Sequence, residues 1–147
     1  MNNALAGNRR DLDILEAWCS KRGISVTYVP NCQSALFLDP KEIYLNPRLG
    51  PTKLVGVFLH ECGHILVEAS TMKSSEELIY PSPSYTRTTR YKVDIVENEF
   101  LAWQRGWSLA QRLNISISKD QYLTIRDEMI KRYFRWTVNS AGKVGQP

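Results

Sequence analysis

An apolar segment, residues 52–69, constrains the fold more than any other part of the chain. Its apolar side chains would lie on nearly every side of a helix, which is typical of a helix buried on all sides. The same segment contains the motif HExxH, formed by His60, Glu61 and His64. Residues four apart lie about one turn from each other on the same helix face. Because polar groups inside a buried helix need a partner, the sequence predicts that a metal ion binds there.

The spacing of the motif suits zinc in particular. Two imidazoles one turn apart can hold one zinc ion, and the glutamate next to the first can reach a water on that ion. A catalytic zinc site has three protein ligands and a water, so the motif lacks one ligand. His60 and His64 are the only histidines in the chain, which excludes a site of three histidines. The third ligand is therefore predicted to be a carboxylate.

Helix geometry selects Glu99 among the acidic residues that follow the motif. Residues 90–113 are predicted to form a helix, on which Glu97 and Glu99 differ by about 200° at about 100° per residue. Along the apolar stripe from Ile95 to Leu113, Glu99 is the only charged residue, whereas Glu97 lies on the polar stripe. Ala102 and Gly106 continue the apolar stripe, and their small side chains would allow another helix to approach closely.

Two other arrangements of the acidic residues stay open. Glu68 lies one turn beyond His64 on the same predicted helix. Ligands from one straight helix would, however, leave the far side of the ion uncovered. The carboxylate of Glu99 could instead pair with an arginine, Arg87 or Arg90, because a buried carboxylate needs a partner.

The remaining sequence predicts an α+β fold in which 1–147 form one domain. The predicted elements are a helix at 9–22 ended by Gly23, strands at 24–29, 35–38 and 42–45, helices at 52–69 and 90–113, and a C-terminal helix that ends near residue 138. The strands are expected to form a small, largely antiparallel sheet of about three strands. Ser116 or Ser118 is expected to cap the C-terminal helix. Residues 71–89 are predicted to form a surface loop, and 139–147 a frayed tail.

Composition limits the possible partners and the cell compartment. Hydrophobic residues make up 43% of the 147 residues, and the formal net charge is +4. We expect no secretory signal and no membrane span, because the first residues lack an apolar core and no run of about 18 apolar residues occurs. Three cysteines, Cys19, Cys32 and Cys62, fit no disulfide framework and are predicted to be reduced thiols of a cytoplasmic protein. A metal pair of Cys19 and Cys32 is the alternative.

The order of these features resembles the minimal gluzincins, in particular the ImmA/IrrE-like metallopeptidases of bacteria and their phages. That family has HExxH followed by a glutamate in the context E-x-x-A-[ND]. Glu99 and Ala102 match this context, whereas Trp103 stands in place of Asn or Asp. The resemblance covers about residues 24–113. It implies a zincin-like helical core that holds Zn²⁺ and hydrolyses a peptide bond in a protein or peptide substrate.

In this hypothesis His60, His64 and Glu99 bind the zinc, and Glu61 is the general base. The carbonyl oxygen that becomes negative needs a further donor. The candidates lie in or next to the predicted loop, which could close over the site, and are Tyr80, Tyr85, Arg87, Arg90 and Tyr91.

Two other classes of function remain as alternatives. The chain could be a non-catalytic zinc-binding or partner-interaction protein of phage or bacterial origin. It could also bind nucleic acid through basic residues of the C-terminal helix, which are Arg126, Lys131, Arg132 and Arg135. That helix also carries Asp127, Glu128 and a strong apolar face, so the favoured interpretation is an ordinary packed helix with a solvated basic side.

Overall fold

The computed structural model describes residues 3–38, 41–74 and 89–138. Within these ranges the chain forms an α+β arrangement of four helices and three strands. The elements are α1 (Asn3–Ser20), β1 (Ser25–Tyr28), β2 (Ala35–Leu38), β3 (Lys41–Leu45), α2 (Pro51–Ser74), α3 (Thr89–Arg112) and α4 (Lys119–Val138). The predicted helices and strands are therefore confirmed, with ends that differ by a few residues.

The three-stranded sheet is mixed, which corrects the expected antiparallel arrangement. β3 lies in the centre, antiparallel to β2 and parallel to β1. Ile43 of β3 stands opposite Leu36 on one side and Val26 on the other. A short connection can join only antiparallel neighbours, as between β2 and β3. β1 pairs with β3, which is farther along the chain than β2. The alternation of apolar and polar residues in a strand shows which face is buried, but it does not show which strand lies next to it.

Helix α2 is the centre of the structure. It packs against α1, α3, α4 and the sheet, and its contact with α3 is the most extensive in the structure. Every residue from 54 to 63 is buried, which confirms the prediction of a helix buried on all sides. Phe58 and Leu59 of α2 join Leu15 of α1 and Ile43 of β3 in the hydrophobic core. The HExxH motif is thus part of the most buried helix.

Helices α2 and α3 approach each other closely at two glycines. A Cβ atom added to Gly63 of α2 would overlap the carbonyl oxygen of Ala102 in α3. A Cβ atom added to Gly106 of α3 would lie 2.6 Å from the carbonyl oxygen of Leu59. The small residues predicted on one stripe of α3 therefore lie at the helix contact. Glu99 lies about one turn before Ala102 on this stripe, so the contact places it beside the motif.

Polar residues determine where the helices begin and end. Gly23 follows α1 with a φ of 69°, a left-handed conformation in which glycine commonly ends a helix. The Ser118 hydroxyl accepts a hydrogen bond from the Gln121 N–H, and the Gln121 side chain accepts one from the Ser118 N–H. This reciprocal cap at the start of α4 selects Ser118 over Ser116. Ser116 instead donates to the buried carboxylate of Asp11 in α1.

The predicted loop is shorter at both ends than expected. α2 continues to Ser74 and α3 begins at Thr89, so residues 71–74 are helical. The rest of the predicted loop and the predicted tail lie outside the described residues. In the part of the chain that the structure describes, no helix combines the length and the hydropathy needed to cross a bilayer.

Candidate metal centre

Two histidines of α2 and a glutamate of α3 come together in one cluster. His60 Nε2 lies 2.8 Å from Glu99 Oε2, and His64 Nε2 lies 3.1 Å from Glu99 Oε1. One ligand atom from each of the three residues lies within 4.8 Å of the others. The helix phase that selected Glu99 thus places its carboxylate against both imidazoles, and the three side chains are close enough to hold a metal ion.

Two of the ligand atoms are buried without a hydrogen bond. His60 Nε2 and Glu99 Oε2 have no hydrogen-bond partner among the described residues, although they lie 2.8 Å apart. The two atoms therefore converge at contact distance without satisfying each other. Buried polar atoms that converge without bonding each other have their lone pairs free for a third group. This geometry fits a metal ion better than a simple histidine–carboxylate pair.

Glu99 of α3 and His64 of α2 change each other's pKa. Burial acts to raise the pKa of Glu99, but its contacts with His60 and His64 outweigh burial and lower the pKa to about 2. Burial acts to lower the pKa of His64, but the carboxylates of Glu99 and Glu61 outweigh it and raise the pKa above its ordinary value. Glu99 is therefore ionised at neutral pH although only 7% of it is exposed.

Trp103 forms one side of the cluster. Its ring stacks on the His60 imidazole with a centroid distance of 4.3 Å and an interplanar angle of 7°. Tyr122 donates a hydrogen bond of 2.6 Å to the Trp103 carbonyl oxygen, which ties this turn of α3 to α4. The stacked ring limits the rotation of the His60 imidazole. The residue that departs from the E-x-x-A-[ND] context is thus in direct contact with a candidate ligand.

A cavity of about 730 Å³ opens beside the cluster. Its floor includes His60, His64 and Glu99, and the buried Glu61 lies in its wall. The other walls come from the β2 edge of the sheet and from α3 and α4. They consist of Gln33, Ser34, Ala35, Leu36, Phe37, Ile95, Asn98, Met129, Arg132 and Tyr133. A cavity of this size can accept part of a peptide.

Tyr133 and Arg132 of α4 are cavity residues that sequence reasoning missed. Burial raises the pKa of Tyr133, and the nearby carboxylates of Glu99 and Glu61 raise it further. The phenol is therefore protonated at neutral pH and lies near both carboxylates. In the sequence Tyr133 belongs to the apolar face of α4, where a tyrosine is readily interpreted as core. The one feature of the sequence that could have identified Tyr133 as a cavity residue is its hydroxyl, because a buried hydroxyl needs a hydrogen-bond partner.

The other candidates lie away from the cluster. Arg90 is exposed at the start of α3, and Tyr91 packs against Trp136 with a ring distance of 5.9 Å. Neither residue lines the cavity. Glu68 lies 3.7 Å from Lys41 Nζ instead of joining the histidines. The remaining candidate donors, Tyr80, Tyr85 and Arg87, lie outside the described residues.

The cysteines take no part in the cluster. Cys19 and Cys62 are fully buried, and their Sγ atoms lie 3.9 Å apart where α1 packs on α2. Burial raises the pKa of the Cys62 thiol, and the contact with Cys19 raises it further. All three cysteines are free thiols. Cys19 therefore lies next to Cys62, and among the described residues neither Cys19 nor Cys32 belongs to a group of three or more side chains that could hold a metal ion.

Comparisons with known proteins returned nothing: no family model, no curated protein and no solved structure matches the chain. The resemblance to the ImmA/IrrE-like metallopeptidases therefore has no structural support beyond the cluster of His60, His64 and Glu99.

Proposed function

We propose that the chain is a zinc-dependent peptidase that hydrolyses a peptide bond in a protein or peptide substrate. The observation that carries this proposal is the cavity beside the cluster, with Glu61 in its wall. Structural zinc sites are closed by four protein ligands, whereas catalytic sites keep one position open for water or substrate. The described residues supply three ligand side chains and an accessible space next to them.

Zinc is proposed because of the donor set. Two imidazole nitrogens and one carboxylate oxygen form a combination that hydrolytic zinc sites use. Calcium and magnesium prefer sites made of oxygen ligands, and soft copper sites use thiolates or thioethers. The three thiols of the chain lie outside the cluster, so no sulfur ligand competes.

The residues of the cavity suit a general-base mechanism. Zinc held by the cluster would supply a Lewis acid that lowers the pKa of a coordinated water to about 7. Glu61 takes a proton from the attacking water as the new C–O bond forms. It returns that proton to the amine nitrogen as the C–N bond breaks. Tyr133 donates its phenol hydrogen to the carbonyl oxygen, which gains negative charge in the transition state.

The edge of the sheet supports a peptide as the substrate. Among the described residues β2 pairs with β3 alone, and residues of β2 line the cavity. The outer edge of such a strand carries backbone groups that an extended peptide can pair with. A peptide bound along β2 would pass close to Glu61 and the ligand cluster.

Glu61→Gln tests the proposal, because it removes the general base and keeps the shape of the side chain. We expect the purified variant to retain one zinc per chain by elemental analysis, while its peptide turnover falls by at least about 100-fold. Glu97→Gln is the matched control, because Glu97 is exposed on the opposite side of α3. It should keep both zinc and turnover.

The same experiment distinguishes the proposed peptidase from the alternative function. In a non-catalytic zinc protein, the chain would bind zinc without any peptide turnover, and Glu61→Gln would change nothing measurable. A purified chain that binds no zinc would overturn both the proposal and this alternative.

A further inference from the structure

Arg132 brings a positive charge to the mouth of the cavity. Besides the two histidines, the charged side chains that line the cavity within the described ranges are Glu61, Glu99 and Arg132. Arg132 is exposed to solvent, whereas the two glutamates are buried. Arg132 directly precedes Tyr133 in α4, and both side chains line the cavity. The guanidinium therefore lies beside the reactive part of the cavity.

The nearby carboxylates of α4 pair with other residues. Glu128, one turn before Arg132, lies 3.2 Å from Lys53 Nζ of α2. Asp127 accepts hydrogen bonds from Arg126 at 2.7 and 2.9 Å. In the described part of the chain, no carboxylate forms an ion pair with Arg132 within 4.0 Å. Glu61 and Glu99 are thus not neutralised by Arg132, which leaves the guanidinium available to a ligand.

The balance of charge in the cavity depends on the ion in the cluster. A divalent cation held by His60, His64 and Glu99 would offset the two buried carboxylates. Arg132 then makes the lining positive overall. Its guanidinium presents a planar set of N–H donors that matches a carboxylate with two parallel hydrogen bonds.

We infer that Arg132 binds a carboxylate of the substrate, so that the cavity selects peptides with an acidic group close to the bond that is cleaved. This inference rests on the proposed peptidase function. The carboxylate can belong to an internal Asp or Glu side chain or to the C-terminus of the peptide. Met129 lies one turn before Arg132, and together with Leu36 it offers an apolar surface to the neighbouring side chain of the peptide.

Binding of fluorescent peptides to the zinc-loaded Glu61→Gln variant tests the inference without turnover. Four peptides differ only in charge: one with an internal Glu and an amidated end, one with Gln and an amidated end, one with Gln and a free C-terminus, and one with Lys and an amidated end. We expect the Glu peptide to bind about fivefold more tightly than the Gln peptide, as for a well-formed ion pair at a partly exposed site. Tighter binding of the free C-terminus than of the internal Glu would identify the chain end as the source.

Variants of α4 assign the preference to Arg132. Adding Arg132→Gln should make the Glu and Gln peptides bind equally, and Arg132→Glu should favour the Lys peptide. Lys131→Gln is the matched control, because it removes the same charge from an exposed neighbour that does not line the cavity. It should preserve the fivefold preference.

Three results would overturn the inference: no binding of any peptide, equal binding of all four peptides, or equal weakening of all four by Arg132→Gln. Turnover by the unaltered zinc-loaded chain is measured separately. A preference for acidic peptides without turnover would overturn the peptidase proposal and leave the carboxylate site in place. Turnover without any charge preference would overturn the carboxylate site and leave the peptidase proposal in place.

Discussion

Among single residues, Glu99 shows most directly how neighbours overcome the cost of burial. A carboxylate with 7% of its surface exposed would ordinarily be neutral or paired. The imidazoles of His60 and His64 lower its pKa to about 2 against the effect of burial, so it remains charged at neutral pH. A buried negative charge between two imidazoles attracts a cation, and the unbonded His60 Nε2 and Glu99 Oε2 are suited to bind it.

Tyr133→Phe is the most specific single-residue test, because it removes one hydroxyl and keeps the aromatic ring. If Tyr133 stabilises the transition state, kcat for peptide hydrolysis should fall about 100-fold, as when one oxyanion donor is lost. The zinc content and the thermal midpoint should stay close to those of the unaltered chain. Tyr91→Phe should keep full kcat, since Tyr91 packs against Trp136 away from the cavity. Full activity of Tyr133→Phe would assign the donor role to another residue.

Among the elements, the contact between α2 and α3 positions the candidate ligands. His60 and His64 belong to one helix and Glu99 to the other, so the distance between the helices sets the distance between the ligand atoms. Gly63 and Gly106 allow this distance to be short, because neither has a side chain to separate the backbones. Glu61, the candidate general base, thus lies two residues before Gly63, which allows α3 to approach α2 closely.

Gly63→Ala tests the role of this contact. The added methyl group would overlap the Ala102 carbonyl oxygen, so the helices must separate or tilt. We expect the free energy of unfolding to fall by about 1–3 kcal/mol, a typical cost of overpacking, and zinc affinity to fall with it. Denaturant unfolding and zinc titration measure the two effects.

Gly50→Ala is the matched control for this substitution. A Cβ on Gly50 meets no atom within 4 Å, so stability and zinc affinity should be nearly unchanged. Similar losses in both variants would mean that the helix contact is not the cause.

Across the molecule, the candidate metal site borders the hydrophobic core, and the core residue Trp103 stacks on His60. The core joins α1, the sheet and the inner faces of α2, α3 and α4, and it is built from apolar side chains. The cluster lies at the cavity beside the β2 edge of the sheet. The chain is therefore expected to fold without metal and to gain stability when metal binds.

Zinc should raise the thermal midpoint through this linkage. At a free zinc concentration about 100 times the dissociation constant, binding adds about 2.7 kcal/mol to the stability of the folded state. For a domain of this size that corresponds to a shift of about 5–10 °C in Tm. Glu99→Gln should lose most of the shift, whereas Glu97→Gln should retain it. Equal shifts in the two variants would show that Glu99 is not a ligand.

Local periodicity was enough to predict part of the candidate site. The spacing of His60 and His64, the buried character of their helix and the phase of Glu99 on the next long helix depend on residues close together in the chain. Helical geometry converts such spacings into faces. The small residues Ala102 and Gly106 predicted the close approach of another helix for the same reason.

The pairing of the strands and the side chains that complete the cavity depend on contacts between distant elements. β1 pairs with β3 and not with β2, and the alternation of side chains along each strand is the same for either neighbour. Tyr133 and Arg132 reach the cavity through the packing of α4, far along the chain from Glu99. Periodicity indicates that one face of a helix is buried, but the groups it meets are set by contacts between elements distant in the sequence.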